Sequence, residues 1–158
     1  MNFKKSRWIG GQVESTMYLV DTNIWLELLL EQDRWQEVKS FFEKVNPDDI
    51  HITEFAVYSI GIILSRYEKI DVFRDFITDL VHDSQVDIIR LQGEDYFKII
   101  EAMEEYPLDF DDAYQYAAAR KMNLELVSFD SDFDQTPEKR ILPGQVIQEE
   151  IEEELEEK

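Results

Sequence analysis

The sequence predicts an α/β fold, a three-layer α/β/α sandwich with a parallel sheet of four or five strands. Short apolar runs alternate with helical segments along the whole chain, which is typical of a parallel sheet covered by helices. At 158 residues the chain is long enough for one domain with a proper core and short for two. Its 44% hydrophobic and 13% aromatic content favours a globular fold over disorder.

The first half of the chain begins with a buried strand at 18–20. The polar side chains of Asp21-Thr22-Asn23 then suit the start of an apolar helix that ends near Leu30. Apolar residues at helical spacing predict a second helix over 34–44, followed by a turn at 46–49. A second strand is expected at 50–52.

The helix that follows the second strand covers 54–67, with Thr53 as its N-cap. It is apolar nearly all round, which indicates burial in the layer that covers the sheet. The remaining elements are helices at 71–82, 94–106 and 113–122 and strands at 86–91, 124–129 and 140–142. Asn123 suits a left-handed C-cap, and 130–136 is expected to be a loop.

Three segments follow from this pattern. Residues 1–16 are polar and contain a glycine pair, so they are expected to form a flexible leader or arm. Residues 17–146 form the folded domain. Residues 147–158 form an acidic tail, either a frayed helix or disordered, and its composition favours a solvated segment.

Composition excludes several classes of protein. The absence of cysteine excludes disulfides, thiolate zinc sites and thiol catalysis, and two histidines leave little room for a histidine metal site. No apolar run is long enough to span a membrane, and the first residues lack the apolar stretch of a signal peptide. We therefore expect a soluble cytoplasmic domain with no membrane partner.

The charge is an objection to a nucleic-acid-binding function. The chain carries a formal net charge of −20, and the tail alone holds seven acids and one base. A body this acidic lacks the basic footprint expected of a nucleic-acid-binding protein. A nuclease, however, needs only local contact, and bound cations reverse the sign of the field at the site itself.

Four acidic positions carry most of the information about function. Asp21 and Asp130 each end an apolar run, and Glu54 and Asp112 each lie at the expected start of a helix. Taken singly, Asp21 and Asp112 are well explained as helix caps and Glu54 by the helix dipole, while Asp130 has further acids next to it at Asp132 and Asp134. Together they can converge at the carboxyl edge of a parallel sheet, where they could hold divalent cations for work on phosphate esters.

These residues resemble the PIN domain family, and particularly the single-domain VapC-like toxin ribonucleases. Four motifs carry the resemblance, which covers residues 17 to about 144, and the first and last are the most specific. They are Tyr18-Leu19-Val20-Asp21-Thr22-Asn23-Ile24-Trp25-Leu26, Thr53-Glu54 opening an apolar helix, Asp112-Ala113 leading an alanine-rich helix, and Leu126-Val127-Ser128-Phe129-Asp130-Ser131-Asp132-Phe133.

The resemblance implies a PIN-like nuclease domain over 17–146 with Mg²⁺- or Mn²⁺-dependent endoribonuclease activity. It also implies an RNA substrate, a homodimer and a cognate antitoxin that covers the site. Carried over by position, the catalytic acids are Asp21, Glu54, Asp112 and Asp130, with Asp21, Asp112 and Asp130 as metal ligands and Asn23, Ser128 and Asp132 in supporting roles. Whether Asp130 or Asp132 is the main fourth acid stays open.

Three functions therefore compete. The first is a metal-dependent endoribonuclease, the toxin of a toxin–antitoxin pair. The second, motivated by the charge and the acidic tail, is a binding or scaffold module of the same fold with little or no catalysis. A structure-specific DNA nuclease is disfavoured, because such enzymes need extra helices for which this chain has no spare length. Metal affinity separates the first two, since a scaffold need not bind Mn²⁺.

Overall fold

A four-stranded parallel sheet lies at the centre of the structure, a computed structural model that describes residues 6–9, 12–156 and 158. Two further strands precede it in an antiparallel pair. The strands are β1 (Ser6–Ile9), β2 (Gln12–Ser15), β3 (Tyr18–Val20), β4 (Ile50–Thr53), β5 (Asp87–Ile89) and β6 (Glu125–Val127). In the parallel sheet their order is β5-β4-β3-β6, so β3 is flanked on both sides.

Seven α-helices are found within the described residues. They are α1 (Thr22–Leu29), α2 (Trp35–Lys44), α3 (Glu54–Arg66), α4 (Ile70–Thr78), α5 (Tyr96–Glu105), α6 (Phe110–Lys121) and α7 (Pro143–Glu156). Short 3-10 helices lie at Pro47–Asp49, Gly93–Asp95 and Ser131–Gln135, and a π-helical turn at Asp79–Asp83 extends α4. The predicted N-cap at Thr53 is confirmed, because its side chain accepts from the Ala56 backbone N–H.

The side chains of β3 alternate between two apolar layers. Tyr18 and Val20 belong to a core that also contains residues of α1, α2, α3 and α4. Leu19 points to the other side, into a core with residues of α5 and α6. Since successive side chains of a strand face opposite sides of a sheet, both faces of β3 are covered. The predicted α/β/α sandwich is therefore confirmed.

Among the differences from the sequence-based boundaries, two have clear local causes. The strand expected at 140–142 is reduced to a single parallel bridge between Ile141 and Val127. Lys139 has a φ of 56°, and α7 begins at Pro143, so little extended chain is left between them. Helix α6 begins at Phe110 rather than at 113, because Asp109 caps it by accepting from the Asp112 backbone N–H. The predicted left-handed C-cap is confirmed, with Asn123 at a φ of 53°.

The acidic segment at the end of the chain is helical, and most of its side chains are exposed or half-buried. Helix α7 crosses the boundary expected at 146 and continues to Glu156. Val146 and Glu150 are buried, and Ile147 packs against the core that contains α2 residues. Their helical spacing gives α7 an inward face that the high glutamate content conceals in the sequence.

The segment expected to be a flexible leader contains the β1–β2 ladder, in which Arg7 is opposite Glu14. Residues 1–5, 10 and 11 lie outside the described part of the chain. Across the described residues, every helix is too short or too polar to cross a membrane.

Candidate functional site

The carboxyl edge of the sheet brings Asp21 close to the segment after β6. Strands β3 and β6 are parallel neighbours, and Val20 is paired with Val127. The pairing continues one residue further, because the Asp21 backbone N–H donates to the Val127 carbonyl at 2.9 Å. Asp21 and Asp130 therefore follow adjacent strand ends, as the sequence predicts.

Asp21 is held by four hydrogen-bond donors. Its side chain is buried, with the residue 6% exposed. Oδ1 accepts from the Thr22 backbone N–H at 2.8 Å and from Gln115 Nε2 at 3.0 Å. Oδ2 accepts from Ser128 Oγ at 2.7 Å and from Asn23 Nδ2 at 3.3 Å. Burial raises the pKa of Asp21, and the donors oppose that shift by stabilising the carboxylate.

Asn23 and Ser128 connect the loops after β3 and β6. Asn23 Nδ2 donates to Ser128 Oγ at 3.1 Å, and Asn23 Oδ1 accepts from the Phe129 backbone N–H at 3.2 Å. Ser128 Oγ also accepts from the Asp130 backbone N–H at 3.0 Å. The same two side chains thus fix Asp21 and the chain that leads to Asp130.

Three carboxylates form a cluster beside Asp21. Asp112, Asp130 and Asp132 each offer an oxygen, and these atoms all lie within 4.8 Å of one another. Asp130 comes from the loop after β6 and caps the next turn by accepting from the Asp132 backbone N–H at 2.9 Å. Asp112 lies in the first turn of α6. We call Asp112, Asp130 and Asp132 the aspartate cluster.

Electrostatics in the aspartate cluster favour a bound cation. Burial, followed by the charges of Asp130, Asp109 and Asp21, raises the pKa of Asp112 to about 8. Like charges held this closely disfavour one another's ionisation, and a divalent cation between them removes that penalty. The donor set consists entirely of carboxylate oxygens, which suits hard cations such as Mg²⁺ and Mn²⁺.

Glu54, which the sequence predicts as a catalytic acid, is not a member of the aspartate cluster. Its Oε2 accepts from Arg90 Nε at 2.7 Å, and its Oε1 accepts from the Tyr58 hydroxyl. The Tyr58 hydrogen bond and then Arg90 hold the pKa of Glu54 below its usual range. The physical reason is a tertiary contact, since Arg90 directly follows β5 and lies within reach of the start of α3.

Helix α3 presents a different residue to the site. A cavity of about 360 Å³ next to Asp21 and Asp112 is lined by Ser59 and Arg66 of α3. Five positions along an α-helix correspond to a rotation of about 140°. Glu54 and Ser59 therefore lie on different faces, and it is Ser59 that borders the cavity. Arg66 is exposed and supplies a cation to the same wall.

Most cations near α6 are neutralised by acids. Lys121 pairs with Asp95 at 2.7 Å, and Arg140 pairs with Asp134 at 3.1 Å. Arg120 lies 3.7 Å from Glu138. These three pairs leave no concentrated positive charge on that side of the described structure.

Sequence reasoning missed Gln115. It lies in the buried face of α6, between the predicted Asp112 and the alanines that pack on the sheet. A lone amide in an otherwise apolar helix face was the available signal, because buried polar groups need hydrogen-bond partners. Asp109, which caps α6 next to Asp112, was missed as well.

Comparison with known families decides the classification. The family model of the PIN domain matches residues 18–139. The chain belongs to the PIN domain family. The matched range contains Asp21 and all three members of the aspartate cluster, so the sequence-based recognition of a PIN-like chain is confirmed.

Solved structures share the fold of this PIN domain at low sequence identity. A toxin–antitoxin complex from Klebsiella pneumoniae matches with a TM-score of 0.66 and 23% identity, covering 80% of this chain and 97% of that one. VapC20 of Mycobacterium tuberculosis, described as a sarcin-ricin loop cleaving toxin, matches with a TM-score of 0.64 and 19% identity, covering 74% and 92%.

VapBC2 from Rickettsia felis, bound to a DNA fragment from its promoter, matches with a TM-score of 0.60 and 18% identity, covering 80% of this chain and 97% of that one. A sequence comparison with curated proteins found no match. At these identities the likeness to solved structures is a likeness of fold.

Proposed function

We propose that this PIN domain is a divalent-metal-dependent endoribonuclease and the toxin of a toxin–antitoxin pair. The observation that carries the proposal is the aspartate cluster, beside Asp21 at the carboxyl edge of the sheet. Membership of the PIN domain family supports it. One structure of the same fold is described as a toxin that cleaves the sarcin-ricin loop, which makes RNA the first substrate class to test.

The chain's own residues define the roles in this proposal. Asp112, Asp130 and Asp132 would hold Mg²⁺ or Mn²⁺, with Asp21 as a further ligand whose orientation Asn23 and Ser128 fix. A bound divalent cation would supply Lewis-acid stabilisation of the scissile phosphate and lower the pKa of a water molecule. Both Asp130 and Asp132 belong to the cluster, so the proposal uses both, and it gives Glu54 no role.

The substrate must approach an acidic surface. The net charge of −20 opposes RNA at long range, so binding depends on contacts at the site itself. Arg66 on the cavity wall is placed to contact a backbone phosphate, and cations in the aspartate cluster would neutralise the acids next to it. We therefore expect RNA affinity to rise with the divalent cation.

Partners form the remaining part of the proposal. Helix α5 exposes a run of apolar side chains, including Phe97, Ile100 and Met103. Exposed apolar patches of this kind mark protein-contact surfaces, and we propose a second copy of the chain there. A cognate antitoxin is proposed because structures of the same fold were solved as toxin–antitoxin complexes. Light scattering of the wild type and of Ile100→Asp tests the homodimer, and the variant should be monomeric.

The test of activity is cleavage of single-stranded and structured RNAs in the presence of Mn²⁺. EDTA and Asp130→Asn should each abolish cleavage, because both remove the cation from the cluster. Asp134→Asn is a matched control in the same turn, since Asp134 pairs with Arg140 and lies outside the cluster. Cleavage that persists in EDTA or in Asp130→Asn would contradict the proposal. A wild type that neither binds Mn²⁺ nor cleaves RNA would favour the scaffold function.

A further inference from the structure

Gln115 connects two layers of the structure through its amide group. The residue is 2% exposed and lies in α6, three residues after Asp112. Its Oε1 accepts from Thr53 Oγ1 at 2.8 Å, and its Nε2 donates to Asp21 Oδ1 at 3.0 Å. Helix α3, through its cap residue, is thus joined to Asp21 by a single side chain of α6.

The direction of these hydrogen bonds is fixed by Thr53. As the N-cap of α3, Thr53 Oγ1 accepts from the Ala56 backbone N–H at 3.0 Å. A hydroxyl has one proton to donate, and at Thr53 the partner for it is Gln115 Oε1. The amide oxygen is therefore turned toward Thr53, and the amide N–H₂ must face Asp21. The opposite orientation would set an amide oxygen against a carboxylate.

The donor from Gln115 differs from the other donors on Asp21. Thr22 and Asn23 are its neighbours in the chain, and Ser128 follows the adjacent strand. Gln115 belongs to the helix that also carries Asp112 of the aspartate cluster. It therefore sets the position of Asp21 relative to that helix and so to Asp112.

We propose that Gln115, oriented by Thr53, is a positioning residue that holds Asp21 at the geometry required for divalent-cation binding. The inference rests on the proposed function, because it assigns Gln115 a role in that same site. It acts through Asp21 and touches no cation itself. Outer-shell hydrogen bonds to metal-ligating carboxylates typically change metal affinity 10- to 100-fold when removed.

The alternative is that Gln115 only satisfies buried polar groups. In that case its loss lowers stability but leaves the affinity for a cation unchanged. The two roles are separated by measuring Mn²⁺ affinity and thermal unfolding on the same variants. Gln115→Met keeps the length of the side chain and removes both hydrogen bonds. Thr53→Val removes the hydroxyl that orients the amide, and Thr53→Ser keeps it.

The experiment is calorimetric titration of the full chain with Mn²⁺ alone. We expect Gln115→Met to weaken Mn²⁺ binding about 10-fold or more. Thr53→Val should weaken it in the same direction, and Thr53→Ser should restore affinity to within about threefold of the wild type. Asn46→Ala is the matched control, because Asn46 caps the 3-10 helix before β4, at the opposite edge of the sheet. Its loss should lower the unfolding temperature without changing Mn²⁺ affinity.

Wild-type affinity in a folded Gln115→Met would overturn the inference. If that variant does not fold, equal affinities of Thr53→Val and Thr53→Ser would overturn it instead. Failure of the proposed function gives a different result. If the wild type binds Mn²⁺ but cleaves no RNA, the nuclease function is contradicted. Weaker Mn²⁺ binding in Gln115→Met would still support the positioning role of Gln115. If the wild type binds no Mn²⁺, both the proposed metal-dependent function and the positioning role of Gln115 are overturned.

Discussion

Asp21 and Glu54 occupy equivalent places in the sequence and very different places in the structure. Each follows a strand of the parallel sheet and lies where a helix begins. Asp21 is buried among four donors, next to the aspartate cluster. Glu54 is partly exposed and is neutralised by Arg90.

The difference follows from the residues that flank each acid, because β3 and β4 are both interior strands and each lies beside an edge strand. Asp21 is flanked by Ser128, which follows β6, and by Gln115 of α6, and both donate to it. Glu54, the first residue of α3, is instead reached by Arg90, which follows the edge strand β5. An acid after a strand is therefore a candidate ligand only when its neighbours are other acids and neutral donors. A nearby basic side chain, such as Arg90 beside Glu54, instead forms an ion pair with the acid.

The largest expected effect comes from removing the charge of the two acids in turn. Asp21→Asn should reduce RNA cleavage about 10³-fold or more, because the cation supplies several kcal/mol of transition-state stabilisation. Glu54→Gln should leave cleavage within about threefold of the wild type, since its partner is Arg90. Initial rates of RNA cleavage in Mn²⁺ check both variants. Equal losses of rate in Asp21→Asn and Glu54→Gln would contradict the distinction between the two acids.

A smaller effect is expected from the donors on Asp21. Ser128→Ala removes a buried hydroxyl that donates to Asp21 and accepts from the Asp130 backbone. A hydrogen bond to a charged group contributes roughly 1.5–3 kcal/mol, and its loss leaves the Asp130 N–H without this acceptor. Denaturant unfolding should show that the free energy of unfolding falls by an amount of that order. Calorimetric titration should show weaker Mn²⁺ binding. Unchanged values in both measurements would show that Ser128 does not support the site.

The raised pKa of Asp112 predicts a pH dependence of stability in metal-free protein. Folding raises this pKa from 3.8 to about 8, so the folded state binds the proton more tightly than the unfolded state. The resulting stabilisation is complete below pH 3.8 and is lost as the pH rises toward 8. Asparagine does not titrate, so Asp112→Asn does not lose stability in this way. The variant should therefore become more stable relative to the wild type as the pH rises.

Unfolding temperatures of the two proteins in EDTA, measured between pH 5 and pH 8, check this. At pH 8 the variant should unfold a few degrees above the wild type, since about 1 kcal/mol corresponds to roughly 2–4 °C in a domain of this size. A constant difference between the two proteins across this range would contradict the prediction. Added Mn²⁺ should reverse their order, because the wild type gains a ligand that the variant lacks.

The smallest effect is expected at the ion pair of Glu54. Arg90→Gln removes the cation from a pair whose arginine is largely exposed. Exposed ion pairs contribute little to stability, so the unfolding temperature should stay close to that of the wild type. An unchanged Mn²⁺ affinity in Arg90→Gln would support the view that Glu54, unlike Asp21, takes no part in cation binding. A rise in affinity would show that freed Glu54 can join the cation site.

The local pattern of the sequence predicted the strands and the acids that follow them. Asp21 and Asp130 could be placed because parallel strand ends meet at one edge of the sheet. The ion pair of Glu54 could not be predicted, because Arg90 is far from it in the chain. Gln115 was missed because its partners, Thr53 and Asp21, are even more distant in sequence.

Helix α7 shows the same limit in the packing of the fold. Its buried positions, including Val146 and Glu150, are few and lie within a run of glutamates. Composition therefore indicated a solvated segment, while the apolar surface next to α2 determines the helix. Local spacing predicts which elements form. Long-range contacts decide which of them pack and which acids converge.

The most direct test of the aspartate cluster is calorimetric titration of Mn²⁺ into the wild type, Asp130→Asn and Asp134→Asn. The two variants remove the same charge from the same turn, and only Asp130 belongs to the cluster. If the aspartate cluster is the cation site, Asp130→Asn should lose Mn²⁺ binding and Asp134→Asn should keep the wild-type affinity for Mn²⁺. Equal affinity in all three proteins would contradict it.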